Sequence, residues 1–156
     1  MELILWRHAE AEIGDPEGAL DEGRRLTAKG HKQAARMAEW LAANLPERCK
    51  ILVSPATRAV QTAEALGRKF KIHPDLGPMA GVVQILTAAN WPHAKEPVLI
   101  VGHQPTLGQI AAALVAGVEQ NWSIRKGNVW WIAQKDRGDD TSNYLRAVMA
   151  PELIKK

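Results

Sequence analysis

The 156-residue sequence has few residues of several types, and each shortage excludes a class of protein. Cys49 is the only cysteine, so no disulfide can form within the chain and we expect a reducing compartment. The apolar run that follows Met1-Glu2 covers four residues, against the roughly 20 of a membrane span and the about 7–15 of a signal-peptide core. We therefore expect a soluble, cytoplasmic protein with no membrane partner.

A strong charge of one sign is also absent. The 20 basic and 17 acidic residues are scattered and leave a net charge of +3, without the Lys/Arg run that binds nucleic acid. Neither GxxxxGK nor GxGxxG occurs, so no motif supports nucleotide or dinucleotide binding. A binding site for a small anion accounts for this small positive net charge at least as well as a polyanionic partner does.

What remains is the composition of an ordinary globular protein, with 46% hydrophobic and 24% charged residues. We expect residues 1–156 to form a single domain, since the length suits one core and no repeat or linker divides the chain. Most of the six tryptophans are expected in the core or at a sheet edge. Trp91 and Trp122 lie in predicted loops, where they would be placed to rim a pocket.

Short apolar runs alternate with segments in which apolar residues recur at helical spacing. Buried strands are predicted at 3–6, 51–53 and 98–101, and helices at 28–44 with Thr27 as N-cap, at about 56–70, at about 82–89 and after Pro105. Residues 129–133 and 144–149 are predicted to form a hairpin around a turn at 135–140. The fold class predicted is a three-layer α/β/α sandwich, with a mostly parallel central sheet and an antiparallel C-terminal edge hairpin.

Polar residues of similar character follow the three apolar runs. Arg7 and His8 end the first run, Ser54 and Arg58 follow the second, and His103 follows the third. Open α/β sheets bind ligands at the carboxyl ends of their strands, so these side chains are expected on one rim. Guanidinium groups bind phosphoryl oxygens in a fork, and a histidine can attack or move a proton near neutral pH. We therefore predict that His8 attacks, or directly contacts, a phosphoryl group.

Two other uses of these histidines compete with that prediction. The Arg7-His8 pair could be a satisfied structural pair, as most such pairs are. A zinc site would need further ligands at suitable spacing, and Arg7 would repel the ion. We therefore expect no metal and no cofactor. His31 and His93, like His73, are expected at the surface or at caps.

Three motifs resemble those of one known family. Arg-His-Ala-Glu-Ala at 7–11, Ser-Pro-Ala-Thr-Arg-Ala-Val-Gln-Thr-Ala at 54–63 and Val-Gly-His-Gln-Pro at 101–105 closely resemble the motifs of the histidine phosphatase (phosphoglycerate mutase-like) superfamily. Ala9, where the family usually has glycine, and the Arg24-Arg25-Leu26-Thr27 segment resemble the SixA-type phosphohistidine phosphatase branch.

The resemblance implies a role for each matching residue. His8 matches the nucleophile that accepts the phosphoryl group, and water would then hydrolyse the phosphohistidine. Arg7 and Arg58 match the arginines that clamp the phosphoryl oxygens, and Arg24 matches a further phosphate-binding arginine of the short branch. His103 matches the second histidine, which donates to the same oxygens and is most useful when protonated.

The general acid is the least defined part of the site. Asp75 lies at a place comparable to the acid of larger relatives, although it could equally be a turn residue beside a proline. Glu10 lies close to His8 in sequence, although it could be a solvated loop charge. A site without an acid would favour P–N over P–O bonds, because a phosphohistidine nitrogen leaves more readily than an unprotonated alkoxide.

The function predicted is that of a metal-independent phosphatase with a covalent phosphohistidine at His8, acting on phosphohistidine in a signalling protein. One alternative is a phosphatase of small phosphomonoesters or phosphoanhydrides on the same scaffold. Another is a phosphate-binding or protein-docking module without catalysis. The partner expected is thus a phosphorylated protein or a small phosphorylated substrate.

Overall fold

The computed structural model describes residues 1–14, 21–137 and 140–155. In chain order the strands and α-helices are β1 (Glu2–Arg7), α1 (Ala28–Asn44), β2 (Lys50–Val53), α2 (Thr57–Glu64), β3 (Lys71–Ile72), α3 (Val82–Ala88), β4 (Val98–Gly102), α4 (Thr106–Ala116), β5 (Val129–Arg137) and β6 (Asp140–Met149). Short 3₁₀ turns lie at Asp21–Gly23, Pro74–Leu76 and Pro151–Leu153. No helix within the described ranges is both long enough and apolar enough to span a bilayer.

The six strands form one sheet in the order β3-β2-β4-β1-β5-β6. The pairs β3/β2, β2/β4 and β4/β1 are parallel, whereas β1/β5 and β5/β6 are antiparallel. The three predicted strands are therefore parallel neighbours, with β4 between β2 and β1. This arrangement confirms the mostly parallel sheet and brings the carboxyl ends of the three strands to one rim.

Alternate side chains of β1 enter two separate core layers. Ile4 and Trp6 pack with residues of α1 and α2 on one face of the sheet. Leu3 and Leu5 pack with residues of α3 and α4 on the other face. All four side chains are fully buried, because helices cover both faces of the strand. The three-layer sandwich predicted from the apolar runs is confirmed.

Helix α1 begins at its predicted N-cap and is fixed to the loop after β1. The Thr27 side chain accepts a hydrogen bond from the backbone N–H of Gly30, as an N-cap residue does. A Cβ atom at Gly30 would lie 2.0 Å from the Glu10 carbonyl oxygen, so only glycine permits this approach. The Thr27 backbone N–H also donates to that carbonyl, which ties the start of α1 to the segment after His8.

Helix α2 is shorter than the sequence indicates. The predicted helix at about 56–70 begins one residue later, at Thr57, and ends at Glu64. Gly67, with φ of +70°, cannot continue a right-handed helix and turns the chain toward β3. Leu66 and Phe70 still pack against the core beside α2, which explains why their spacing extended the apolar pattern.

The C-terminal hairpin is confirmed at the sheet edge, and its strands are longer than predicted. Strand β5 runs to Arg137 and β6 starts at Asp140, so pairing continues through most of the predicted turn at 135–140. Residues 138–139 lie outside the described residues. The Asn143 amide of β6 donates to the Leu114 carbonyl, which fastens the hairpin to α4.

Candidate active site

The carboxyl ends of β1 and β4 bring the two predicted histidines together. Arg7 lies opposite Gly102 in the parallel register, so His8 and His103 follow at the same level of the sheet. Their ring centroids are 5.2 Å apart and the ring planes are tilted by 55°. Both side chains are buried, with 6% and 5% exposure.

A cavity of about 260 Å³ opens over this rim. The predicted residues that line it are Arg7, His8, Arg24, Arg58 and His103. The sequence therefore identified five side chains that converge on one cavity from β1, β4, α2 and the loop before α1. Three of the five are guanidinium groups, so the cavity suits an oxyanion.

One ring nitrogen of His8 is fixed by the backbone. Nδ1 lies 2.8 Å from the Ala9 carbonyl oxygen. A carbonyl only accepts, so in the neutral ring Nδ1 carries the hydrogen and Nε2 carries the lone pair. Burial lowers the pKa of His8 to about 4 against the opposing effect of the Ala9 hydrogen bond, and the charges of Arg58, Arg7 and Arg24 lower this pKa further. The His8 ring is therefore neutral at neutral pH, with the lone pair on Nε2.

Thr62 fixes the backbone beside His8. Its hydroxyl accepts from the Ala9 N–H at 3.0 Å and donates to the Arg58 carbonyl at 2.7 Å. Thr62 is fully buried, so water cannot replace either bond. One side chain thus joins the loop that carries His8 to the helix that carries Arg58.

His103 is held by the residue that follows β2. Its Nε2 lies 2.7 Å from the Ser54 hydroxyl, which also accepts from the Ala56 N–H at 3.2 Å. Burial, and then the charges of His8 and Arg58, lower the pKa of His103 to about 3. The ring is therefore neutral at neutral pH without a bound anion. The protonated form expected from the sequence requires the negative charge of a phosphoryl group to raise its pKa.

Asp21, which the sequence interpretation missed, holds two of the arginines. Its carboxylate lies 3.3 Å from Nη2 of Arg58 and 3.1 Å from Nε of Arg24, and its carbonyl accepts from Nη1 of Arg58 at 2.8 Å. Desolvation tends to raise the pKa of Asp21, but Arg58 and Arg24 outweigh it and lower that pKa. Burial lowers the pKa of Arg58, which remains charged at neutral pH.

Arg7 is aimed by the loop before β5. Its Nη1 donates to the Ile124 carbonyl at 2.9 Å. Nε is buried and has no hydrogen-bond partner among the residues that the structure describes. A guanidinium has five N–H groups, so Arg7 keeps donors for an anion in the cavity after the Ile124 bond is made.

Neither candidate acid lies on the cavity wall. Asp75 is exposed in the 3₁₀ turn after β3, where His73 accepts its backbone N–H as a cap. The Glu10 carboxylate accepts from the Thr27 hydroxyl at 2.8 Å and lines a neighbouring groove instead. His73 is thus a cap, as expected, and His31 and His93 are exposed, also as expected.

Two polar side chains on the cavity, Lys126 and Gln104, have no role predicted from the sequence. Lys126 adds a fourth cation from the loop before β5. Gln104 follows His103, but its amide donates to the Trp122 carbonyl and accepts from the Gly108 N–H, so it serves the local fold.

Trp91 and Trp122 pack beside the core rather than rimming the cavity. No cluster of three or more metal-ligating side chains occurs within residues 1–14, 21–137 and 140–155.

Comparison with known proteins gives consistent matches. A model of the histidine phosphatase superfamily (branch 1) matches residues 3–80. The phosphohistidine phosphatase SixA of Escherichia coli K12 is 31% identical over 125 residues, covering 75% of this chain and 76% of that protein. The phosphohistidine phosphatase SixA homolog of Haemophilus influenzae is 32% identical over 130 residues, covering 73% and 77%.

A solved structure agrees with these matches. The protein histidine phosphatase SixA complexed with tungstate has a TM-score of 0.81 and 26% identity, with 99% of this chain and 100% of that chain covered. The phosphoglycerate mutase-like fold and the family resemblance predicted from the three motifs are both confirmed. The chain belongs to the histidine phosphatase superfamily, and it is a hydrolase that acts on phosphoryl groups.

Proposed function

We propose that this phosphatase works without a metal through a covalent phosphohistidine at His8, and that its substrate is phosphohistidine in a signalling protein. The observation that carries the proposal is the state of His8. Its Nδ1 is bound to the Ala9 carbonyl and its pKa is lowered to about 4, so Nε2 offers a lone pair to the cationic cavity at neutral pH.

The first step transfers the phosphoryl group to His8. Nε2 attacks phosphorus, an N–P bond forms, and the bond to the substrate nitrogen breaks with its electron pair returning to the substrate imidazole. Arg7, Arg24 and Arg58 neutralise the charge on the phosphoryl oxygens. His103 gains a proton as the dianion raises its pKa, and it then donates to the same oxygens.

The second step regenerates the enzyme. Water attacks the phosphorus of phospho-His8, and the N–P bond breaks with its electron pair returning to Nε2. Inorganic phosphate leaves with the oxygen and both protons of the water. The Ala9 carbonyl holds Nδ1–H throughout, so His8 returns to the same tautomer after each turnover.

The cavity wall favours a nitrogen leaving group. Among the lining residues that the structure describes, there is no Asp or Glu to protonate an alkoxide. An imidazole leaves as a neutral molecule when its other nitrogen carries a proton, so it needs no such acid. The relatives named phosphohistidine phosphatase, and the oxyanion tungstate in one related structure, support the same substrate class.

The test compares a phosphohistidine peptide with an aryl phosphate under saturating chelator. We expect turnover of the peptide, much slower turnover of the ester, and no effect of the chelator. His8→Ala should abolish turnover, whereas the matched control His31→Ala changes an exposed histidine of α1 and should not. Comparable rates on ester and peptide would favour the small-phosphoester alternative, and activity restored by zinc would refute the metal-free mechanism.

A further inference from the structure

A second, larger concavity adjoins the catalytic cavity. Its volume is about 630 Å³, and it lies between α1, the loop before β5 and the 3₁₀ turn after β6. Six cationic side chains line it: Arg7, Lys29, Lys32, Arg36, Arg125 and Lys126. We call this concavity the basic groove. Among the residues that the structure describes, its acidic lining is Glu10 and Glu152, so these lining residues carry an excess of four positive charges, more than the net +3 of the whole chain.

The cations of the basic groove take part in no ion pair with another described residue. The ion pairs found among the described residues join Asp21 to Arg24 and Arg58, and Glu2 to Arg146. None of them involves a cation of the basic groove. On α1, residues 29, 32 and 36 have the spacing of one helix face, so three positive charges stand side by side. Like charges so placed are unfavourable unless an anion offsets them.

The groove is continuous with the catalytic cavity. Arg7 and Lys126 line both concavities, so a molecule with its phosphoryl group at His8 extends naturally into the groove. Lys29, Lys32, Arg125 and Lys126 are exposed, and none forms an ion pair with a carboxylate in the described part of the chain. Long, exposed cations of this kind attract a broad acidic surface, whereas selective binding of one small ligand requires buried, fixed donors.

We propose that the basic groove docks the acidic side chains that flank the phosphorylated histidine on a partner protein. The inference rests on the proposed function and extends it, because it specifies that the residues around the reacting histidine of the substrate are acidic. Docking of acidic residues would guide the phosphohistidine toward His8 and speed association, with an effect that salt weakens. The groove thereby selects among phosphohistidine proteins by the charge of their flanking residues.

The experiment pairs two enzyme variants with three substrates. Lys29→Glu/Lys32→Glu reverses two charges of the groove outside the catalytic cavity. The control, Lys50→Glu/Lys69→Glu, reverses two exposed charges near the amino ends of β2 and β3, away from the rim. The substrates are a phosphohistidine peptide with flanking Asp and Glu, the same peptide with Asn and Gln, and free phosphohistidine.

Exposed charge pairs change affinity by about two- to fivefold each, so the groove variant should lose about tenfold in kcat/KM on the acidic peptide, mainly through KM. It should keep its rate on the neutral peptide and on free phosphohistidine, and the loss should shrink as salt is raised. The control should match the wild type on all three substrates.

The outcomes separate the two proposals. Equal kinetics of the groove variant and the wild type on the acidic peptide would overturn the docking role while leaving the proposed function intact. An equal loss on all three substrates would overturn it too, because the lysines would then act on catalysis. If the wild type hydrolysed none of the three substrates, the proposed function itself would be refuted.

Discussion

Acidification should destabilise the fold through the buried histidine pair. Burial lowers the pKa of His8 to about 4 and that of His103 to about 3, from 6.5 in an unperturbed imidazole. As the pH falls through 6.5 the unfolded chain takes up a proton at each ring, and the folded protein does not. This contribution to stability is therefore complete above pH ~6.5 and is lost as the pH falls toward the folded-state pKa values.

The loss is large enough to measure. At pH ~5 both folded rings are still neutral, so each costs about 2 kcal/mol of unfolding free energy, or about 4 kcal/mol for the pair. The two rings do not repel each other at this pH, because neither ring is charged in the folded state. The free energy of unfolding of a typical domain is only about 5–15 kcal/mol, so a loss of this size is a substantial share of the total stability.

Urea unfolding at pH ~7 and pH ~5 measures this loss when the wild type is compared with His8→Asn/His103→Asn. With an m-value of about 2 kcal/mol/M, the wild-type midpoint should fall by about 2 M more than that of the variant between the two pH values. All other titrating groups contribute to both proteins and cancel in the comparison. Equal shifts in the two proteins would refute the argument that the fold keeps this pair neutral.

Two substitutions test how the site is held. Arg58→Lys loses the fork that contacts Asp21 and that we propose to clamp a phosphoryl group, so kcat should fall about 100-fold in steady-state assays. Arg68→Lys, whose guanidinium binds the Pro46 carbonyl and does not line the cavity, should not change kcat. A normal kcat in Arg58→Lys would contradict the clamp. Thr62→Val leaves the buried Ala9 N–H unpaired and should cost about 1–3 kcal/mol in urea unfolding. Thr87→Val removes the same type of bond to the carbonyl four residues earlier, at an exposed position, and should cost little; equal costs would contradict the role of Thr62.

The site residues at the rim of the sheet were predictable because they follow apolar runs that predict strands without any tertiary information. Apolar residues at 3–6, 51–53 and 98–101 fix three parallel strands, and the side chains after them must then meet. The pair His8 and His103 is the direct result. Arg58 was equally accessible, since it lies in the first turn of the helix that follows β2.

The residues that sequence reasoning missed lie where tertiary packing decides the chain path. Asp21 looked like one more charge in an acidic loop, and nothing local indicates that it bridges two arginines. Lys126 reaches the cavity from a loop whose path depends on bonds between the Trp6 indole, the Arg7 backbone and Gly127. The early end of α2 was missed because Leu66 and Phe70 continue the apolar spacing after the helix has stopped.

Isolation of the phosphorylated enzyme tests whether His8 forms the covalent intermediate. The enzyme is mixed rapidly with a ³²P-labelled phosphohistidine peptide, quenched in alkali and digested. We expect label on the peptide that contains residue 8, stable in alkali and lost in mild acid as a phosphoramidate is, and no label in His8→Asn. Hydrolysis of the substrate by wild-type enzyme without label on His8, or undiminished label in His8→Asn, would contradict this expectation.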